Sequence, residues 1–394
     1  IAENVALSAT DASAVAQLAR ERDVDLVIIG PDAAAAAGVT DACLAEGVAV
    51  FGPTAAAARI EASKAFAKAL MDESGIRSAR WMSGGGEDRA ALERFIADEG
   101  GACVVKADGL ALGKGVVVCS SETEAHAALD ACLLGGRFGD AGRRVVVEQR
   151  LQGIEVSVLG LSDGRNVRVL PPARDHKRAF DGDRGPNTGG MGALAPPPDI
   201  DGSFAEQVAS TVLQPCVDAL RARGTPFVGC LYAGLMLTPD GVRVLEFNAR
   251  FGDPEAQVLV PLLAEPALDL FAAAAHGELE PGRVAAEPQY AVGVVAAAAG
   301  YPGDVRGGDE ISGLDQLDTD VLCFHAGTRL DAGGRWYTAG GRVLCVVAVG
   351  EGLDNARRCA YENIGRVHFP GMHFRRDIGA APAASRIDAL GVTA

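Results

Sequence analysis

Two hydrophobic rhythms alternate along the chain. Residues 12–23 (ASAVAQLARERD) space their apolar positions as a helix does, and DLVIIG (25–30) is a continuous apolar run closed by Gly, the pattern of a buried strand. DACLAEGVAVFGPT (41–54) repeats the unit and ends on a Gly-Pro turn. Strands alternating with helices imply a parallel, doubly wound sheet. The run AAAAAG (33–38) is helix-permissive and carries no assigned chemistry. SKAFAKALM (63–71) predicts a helix with Ser63 as N-cap. ACVVKADG and GKGVVVCS (102–120) predict two strands around a Gly-rich turn, and ETEAHAALDACLL (122–134) a helix. RRVVVEQRL (143–151) and EVSVLGLSDG (155–164) return to strand, and 171–200 looks long and irregular. SFAEQVASTVLQPCVDALRARG (203–224) predicts one amphipathic helix. CLYAGLMLTPDG and VRVLEFN form a hairpin over a Pro-Asp-Gly turn, and 261–279 reads as a helix. Beyond residue 288, short strands (YAVGVVAAAAG, CFHAGTRL, RVLCVVAVG) and a helix at 354–367 suggest a small α+β domain.

Within this pattern, VLEFNARFGDPEAQ (244–257) is unusual. Strand side chains alternate between faces. Leu245, Phe247 and Ala249 are expected to face a core, which puts Glu246, Asn248 and Arg250 in one row on the other side. One reading is a solvated face with an internal Glu–Arg pair. The other is a site for a hard cation beside an anion clamp, because Glu and Asn oxygens suit Mg²⁺ and Arg grips phosphate bidentately.

VVKADGLALGKGVVV (104–118) holds Gly109, Gly113, Lys114 and Gly115. It is not a Walker A loop: the spacing is one residue short, Gly115 replaces the hydroxyl residue, and a strand follows. A Gly-rich turn between two strands can still cradle phosphates, because Gly lets backbone N–H groups approach closely, and such a hairpin would act as a flap. Lys106 ends the incoming strand, within reach of the same phosphates. A flexible turn with solvated lysines fits this stretch equally well. Glu148 and Glu155, seven residues apart, flank a strand that ends, turns and restarts. Such a hinge could meet an adenine edge and bring the second carboxylate to ribose hydroxyls; a pair of solvated acids is the plainer reading.

A length of 394 residues suggests two or three domains, and 48% hydrophobic with 22% charged residues is a soluble globular composition. Neither a transmembrane helix nor a signal peptide is expected. Nine scattered cysteines without a CxxC read as reduced thiols of a cytoplasmic protein. A net charge of −16 argues against nucleic acid or an anionic membrane as partner. Small anionic ligands stay open, since Lys106, Lys114, Arg174, Lys177, Arg178, Arg184 and Arg250 concentrate in Gly- or Pro-punctuated motifs.

The order of these motifs carries a resemblance. SKAFAK, VVKADGLALGKGVVV, VEQRLQGIE, DHKRAFDGDRGPNTGGMGA, GCLYAGLML and VLEFNARFGDPE, with FGPT, GYPGDVRGGD, FHAGT and FRRDIG outside them, resemble the ATP-grasp ligases. Among these they are most similar to the phosphoribosylamine–glycine ligase family, from about Asp23 to Gly379. The resemblance implies an α/β and α+β multidomain chain: an ATP-grasp fold with a truncated N-terminal doubly wound parallel-sheet domain and a small C-terminal α+β domain. The expected boundaries are 1–62, 63–287 (flap subdomain about 80–150), 288–384 and a tail at 385–394.

It also implies roles. Lys64 and Lys106 would hold ATP phosphates under a flap of Gly113, Lys114 and Gly115. Glu148 and Leu151 would frame the adenine hinge, and Glu155 the ribose. Glu246 and Asn248 would ligate Mg²⁺ or Mn²⁺. Arg250, Lys114 and Asp175 would serve catalysis. Asp175, His176, Lys177, Asn187, Thr188, Gly189 and Gly190 would form the substrate-side loop. The implied reaction joins glycine to 5-phosphoribosylamine through glycyl phosphate in purine biosynthesis, in a monomer, with positioning and charge neutralisation dominating. His176 fits a structural or substrate contact better than a general base.

Some positions depart from the family's pattern. Asp32 stands for a usual Glu, Arg174 for Gln and Leu194 for an aromatic, while Gln149 and Arg150 sit where an acid and an aromatic are common. The family's first strand and its Gly-rich turn are expected to be missing, which would leave a chain that binds ATP yet turns over poorly. Two rival readings are another ATP-grasp carboxylate–amine ligase or carboxylase, and a non-catalytic nucleotide-binding module.

Overall fold

The computed structural model describes residues 2–110, 115–134 and 139–380. They divide into two compact units. One runs to Leu170 and takes in Ala205–Phe251 and Pro266–Arg283; the other comprises Pro171–Phe204, Gly252–Glu265 and the chain from Val284 onward. The stretch 171–204 packs with the C-terminal residues.

The first unit opens with helix Ala12–Glu21 and a parallel pair, Leu26–Ile28 with Ala49–Phe51. Asp11 caps that helix by accepting from the Ala14 N–H at 3.1 Å. A four-stranded sheet follows in the order Trp81–Gly84, Val145–Gln149, Cys103–Ala107, Val116–Val118. Helices Arg89–Asp98 and Glu122–Leu133 cover it, burying Leu92, Ile96 and Leu129 against Val105 and Val147. This sheet lies between residues 81 and 149.

The unit's five-stranded sheet runs Gly241–Asn248, Val228–Thr238, Ile154–Asp163, Val167–Val169, Gly282–Arg283. Residues 150–153 therefore link two sheets, as a strand that stops and restarts requires. Gly153 fits there because a Cβ would lie 2.0 Å from the Leu237 carbonyl oxygen.

Two expectations need correction. The helix over 203–224 is not uniform: Phe204–Val208 and Gln214–Ala222 are α-helical, and Ala209–Leu213 between them is a π turn. Pro215 has no N–H to give and its ring crowds the carbonyl four residues earlier, and the wider turn accommodates both. The predicted helix at 261–279 begins only at Ala267, after Pro266.

The second unit centres on an antiparallel sheet ordered Leu322–His325, Arg342–Gly350, Tyr290–Ala297, Gly192–Ala195, Arg174–Asp175. Helix Leu353–Ile364 packs Ala356, Ala360 and Ile364 onto its Val292, Val294 and Val346. The stretch 171–200, expected to be irregular, contributes two of these strands and a small hairpin, Arg178–Phe180 with Arg184–Asn187. Among the described residues no helix is long and apolar enough to cross a membrane.

Candidate active site

Strand Gly241–Asn248 carries the row that stood out in the sequence, with one change of phase. Gly234 pairs with Glu246 but Leu235 with Val244, so Leu245 has no partner across the ladder. This bulge turns Val244 into the core and leaves Leu245 half-buried, against the expected inward position; Phe247 and Ala249 are buried as expected. It also releases a carbonyl: the Lys106 Nζ donates to the Leu245 oxygen at 3.0 Å. Lys106 thereby reaches the carboxylate–amide–guanidinium row from the neighbouring sheet.

Lys106 belongs to a buried charge cluster. Its ammonium lies 2.8 Å from Glu148 Oε1, and Lys68 Nζ lies 3.0 Å from Glu148 Oε2. All three are nearly closed to solvent, at 6%, 2% and 2% exposure for Lys106, Glu148 and Lys68. The Glu148 carboxylate, near the end of the strand before the link expected to form the adenine hinge, is the shared counterion of two lysines. Burial pushes Lys68 down to about 8, with Glu148 opposing that shift.

Lys64, one helical turn before Lys68, donates from Nζ to the Gly109 carbonyl at 3.0 Å. Burial lowers it below its ordinary value, while the Glu246 charge nearby pulls the other way and Lys106 adds to the lowering. The helix bearing both lysines starts as the sequence predicts, with Ser63 Oγ accepting from the Phe66 N–H at 3.1 Å. Asp108 supports the same end, accepting from Ser63 Oγ and the Ala65 N–H, each at 3.1 Å. The root of the Gly-rich hairpin is thus tied to the lysine helix. Gly115 closes the hairpin, its carbonyl accepting from Ala107 N at 2.9 Å; Gly113 and Lys114 lie outside the described residues.

The other side of the row is organised by Glu61. Its carboxylate accepts from Asn248 Nδ2 at 2.7 Å and from the Ala249 N–H at 2.8 Å, and lies 3.2 Å from Arg250 Nη2. Burial raises Glu61 above the usual carboxylate range, opposed by Arg250 and the Ala249 N–H. With the amide nitrogen taken by Glu61, the Asn248 oxygen is the atom left for a cation beside Glu246. Among the described residues no three His, Cys, Asp or Glu gather as a metal site by themselves. Two protein oxygens suit a Mg²⁺-like ion that completes its shell with water and phosphate. Leu151 is half-buried in the inter-sheet link, and Glu155 is exposed at the start of Ile154–Asp163.

Of the predicted residues, the first unit therefore gathers Lys64, Lys106, Glu148, Glu246, Asn248 and Arg250. The sequence reading missed Lys68, Glu61 and Asp108. Lys68 had a signal: two lysines at i and i+4 repel on a helix surface unless something between or beneath them is negative. Glu61 had almost none, as a lone acid after an Ala-rich run.

Asp175, His176, Lys177 and Asn187–Gly190 belong to the second unit. The His176 N–H donates to the Gly192 carbonyl at 2.9 Å and its carbonyl accepts from Met191 N at 2.8 Å. The Lys177 carbonyl accepts from both the Thr188 N–H (2.7 Å) and Oγ1–H (2.8 Å). Arg342 holds the Gly189 carbonyl at 2.8 Å while gripping both Asp253 oxygens. Gly190 has φ +109°, and a Cβ there would lie 2.4 Å from Pro254 Cδ. His176 is half-buried, and burial followed by the Arg375 charge holds it down to about 4. It is therefore a neutral ring at pH 7.

The chain matches the phosphoribosylglycinamide synthetase family along three modules: the N domain over residues 1–61, the ATP-grasp (A) domain over 62–256 and the C domain over 291–381. It is 46% identical to the phosphoribosylamine–glycine ligase of Nostoc sp., over 96% of this chain and 89% of that protein. The Streptomyces coelicolor ligase is 47% identical over 98% and 91%. The crystal structure of the Thermotoga maritima ligase superposes with a TM-score of 0.76 at 38% identity, covering 84% of this chain and 81% of that one. The biotin carboxylase domain of Hydrogenobacter thermophilus 2-oxoglutarate carboxylase, 16% identical with a TM-score of 0.74, shares the fold. The row of Glu246, Asn248 and Arg250 beside paired lysines thus sits in an ATP-grasp scaffold, and the chain belongs to the phosphoribosylamine–glycine ligase family of ATP-dependent ligases.

Proposed function

We propose that the chain joins glycine to 5-phosphoribosylamine, giving glycinamide ribonucleotide, ADP and phosphate, with the first unit's charge cluster as its ATP-phosphate site. The carrying observation is the Lys106–Leu245 contact, which sets a buried ammonium against the strand that bears Glu246 and Asn248.

A glycine carboxylate oxygen attacks the γ-phosphorus, the bond to the bridging oxygen breaks, and ADP leaves. The amine nitrogen of phosphoribosylamine then attacks the carbonyl carbon of glycyl phosphate. The amide forms, phosphate departs, and the nitrogen gives its proton to solvent or to the phosphate. Little acid–base work is required, so charge placement dominates. Lys64 and Lys106 neutralise phosphate oxygens, and Arg250, steadied by Glu61, faces the transferred group. Glu246 and the Asn248 oxygen hold Mg²⁺ or Mn²⁺, which offsets charge on the phosphates when bound. Leu151 lines the adenine side and Glu155 the ribose side. Asp175, Lys177 and the Asn187–Gly190 turn contact the amino-acid and phosphoribosyl substrates, and His176 joins them as a neutral ring. Family resemblance assigns Gly113 and Lys114 to the flap over the phosphates.

The test is ADP release from the wild type and from Glu246→Ala. The wild type is expected to form ADP only with glycine and phosphoribosylamine both present. The variant is expected to lose on the order of 10²–10³ in rate while keeping its fold. Undiminished ADP formation by Glu246→Ala at ordinary Mg²⁺ would remove Glu246 from the site.

A further inference from the structure

Two lysines on one buried carboxylate raise a question of charge. The cluster of Lys68, Glu148 and Lys106 carries one net positive charge in a place almost without solvent. A buried excess charge is expensive unless something answers it. An ammonium has three N–H donors. On Lys106 one is donated to the Leu245 carbonyl, and Glu148 Oε1 lies 2.8 Å from the nitrogen as an ion pair. The donor capacity that the described residues do not use, and the surplus charge of these three groups, are what an anion would take up.

We propose that Lys68 is a positioning residue for phosphate binding: by sharing Glu148, it keeps that carboxylate from neutralising Lys106 and fixes where the Lys106 ammonium points. This rests on reading Lys106 as a phosphate ligand. Lys68 itself touches no substrate. It holds one carboxylate oxygen while Lys106 takes the other, so the carboxylate bridges the lysine helix (Lys64–Glu73) and the strand Cys103–Ala107. Without Lys68, Glu148 and Lys106 form a neutral pair, and the carboxylate is free to swing over the ammonium. Burial opposes the charge on Lys68, as its lowered value shows, and Glu148 is what retains it.

The experiment is calorimetric titration of ADP, a non-hydrolysable ATP analogue and adenosine into the full chain. The proteins are wild type, Lys68→Met, Lys68→Gln and the double variant Lys68→Met with Glu148→Gln, with thermal unfolding of each. Lys68→Met is expected to weaken ADP and the ATP analogue roughly ten- to a hundredfold and to leave adenosine affinity unchanged. Lys68→Gln, which keeps a donor for Glu148 but not the charge, should match it and serves where the Met variant fails to fold. The double variant restores one positive charge on Lys106 and is expected to recover most of the affinity. Wild-type affinity in Lys68→Gln, a parallel loss of adenosine, or no recovery in the double variant overturns the proposal. A wild-type chain that binds adenosine but gains nothing from phosphates overturns the reading of Lys106, and this proposal with it.

Discussion

In the first unit two lysines share one carboxylate, whereas in the second unit two carboxylates close on one guanidinium. Arg375, 2% exposed, donates Nε and Nη2 to the two oxygens of Asp377 at 2.7 and 2.6 Å. Its Nη1 donates to Asp183 at 2.9 Å and to the Arg178 carbonyl at 3.1 Å. Arg174 and Asp199 form another bidentate pair at 2.8 Å. There the guanidinium is answered in full and the result is a loop held in one shape; the Asp183 and Asp377 side chains are 50% and 30% exposed, so water meets their surplus negative charge. Around Lys106 the carboxylate is 3% exposed and outnumbered, and in the proposed site that surplus is what draws a phosphate. The solvent access of the counterions, together with their ratio to cations, separates scaffold from proposed site.

The largest expected effect lies on the scaffold side. Arg375→Met removes one partner from each of Asp183 and Asp377 and takes the Arg375 donor from the Arg178 carbonyl. Losing several charge-assisted hydrogen bonds to carboxylates that still reach solvent costs about 3 kcal/mol. Chemical denaturation should show that loss. A variant within 1 kcal/mol of the wild type would mean the two aspartates are solvated well enough without it, and the contrast between the units would weaken.

Lys106→Met is expected to do the reverse. Lys68 and Glu148 then neutralise each other, so stability should change little, while ADP affinity falls roughly ten- to a hundredfold. A Lys106→Met protein that unfolds readily but binds ADP normally would make this cluster a scaffold like the other.

The sequence disclosed whatever depends on near neighbours. The alternation at Glu246, Asn248 and Arg250, the Ser63 cap and the hairpin at 228–248 are local patterns, and each is present. The phase shift at Leu245 was hidden, because a bulge is a property of two strands and only the Gly234 side reveals it. The Lys68–Glu148 pair was hidden for the same reason: the residues lie on a helix and a strand of different rhythm. The grouping of 171–204 with the C-terminal residues rests on contacts such as Arg375 to Asp183, across 192 positions, which no local period encodes. DHKRAFDGD and FRRDIG were each noticed as strings, yet their meeting through Arg375 was not foreseeable from either.

A pH titration sharpens the contrast further. His176 is surrounded by Arg375, Arg174, Asp183 and Asp377, and is held down to about 4 from an ordinary 6.5. Between those values the unfolded chain binds the proton and the folded one does not. This contribution to stability is therefore complete above about pH 6.5 and lost as pH falls toward 4, by at most about 3 kcal/mol. The denaturation midpoint should slope downward across that window. His176→Gln should flatten the slope, and an unchanged slope would mean that other groups set it.

Ser63→Ala carries the smallest effect and asks whether the site depends on how its helix begins. Ser63 accepts from the Phe66 N–H and donates to Asp108, at the root of the Gly-rich hairpin. Loss of the cap should cost about 1 kcal/mol. If Lys64 and Lys68 are held in place by that helix end, ADP affinity should also fall by a few-fold, although Ser63 touches no phosphate in the proposed site. Asp108 would still accept from the Ala65 N–H, so the helix end loosens without detaching. Equal losses in Ser63→Ala and in the cap variant Ser121→Ala of the helix Glu122–Leu133 would show that only general stability is read out. An ADP-affinity loss confined to Ser63→Ala would place the lysine helix, down to its first turn, among the parts that aim charge at the nucleotide.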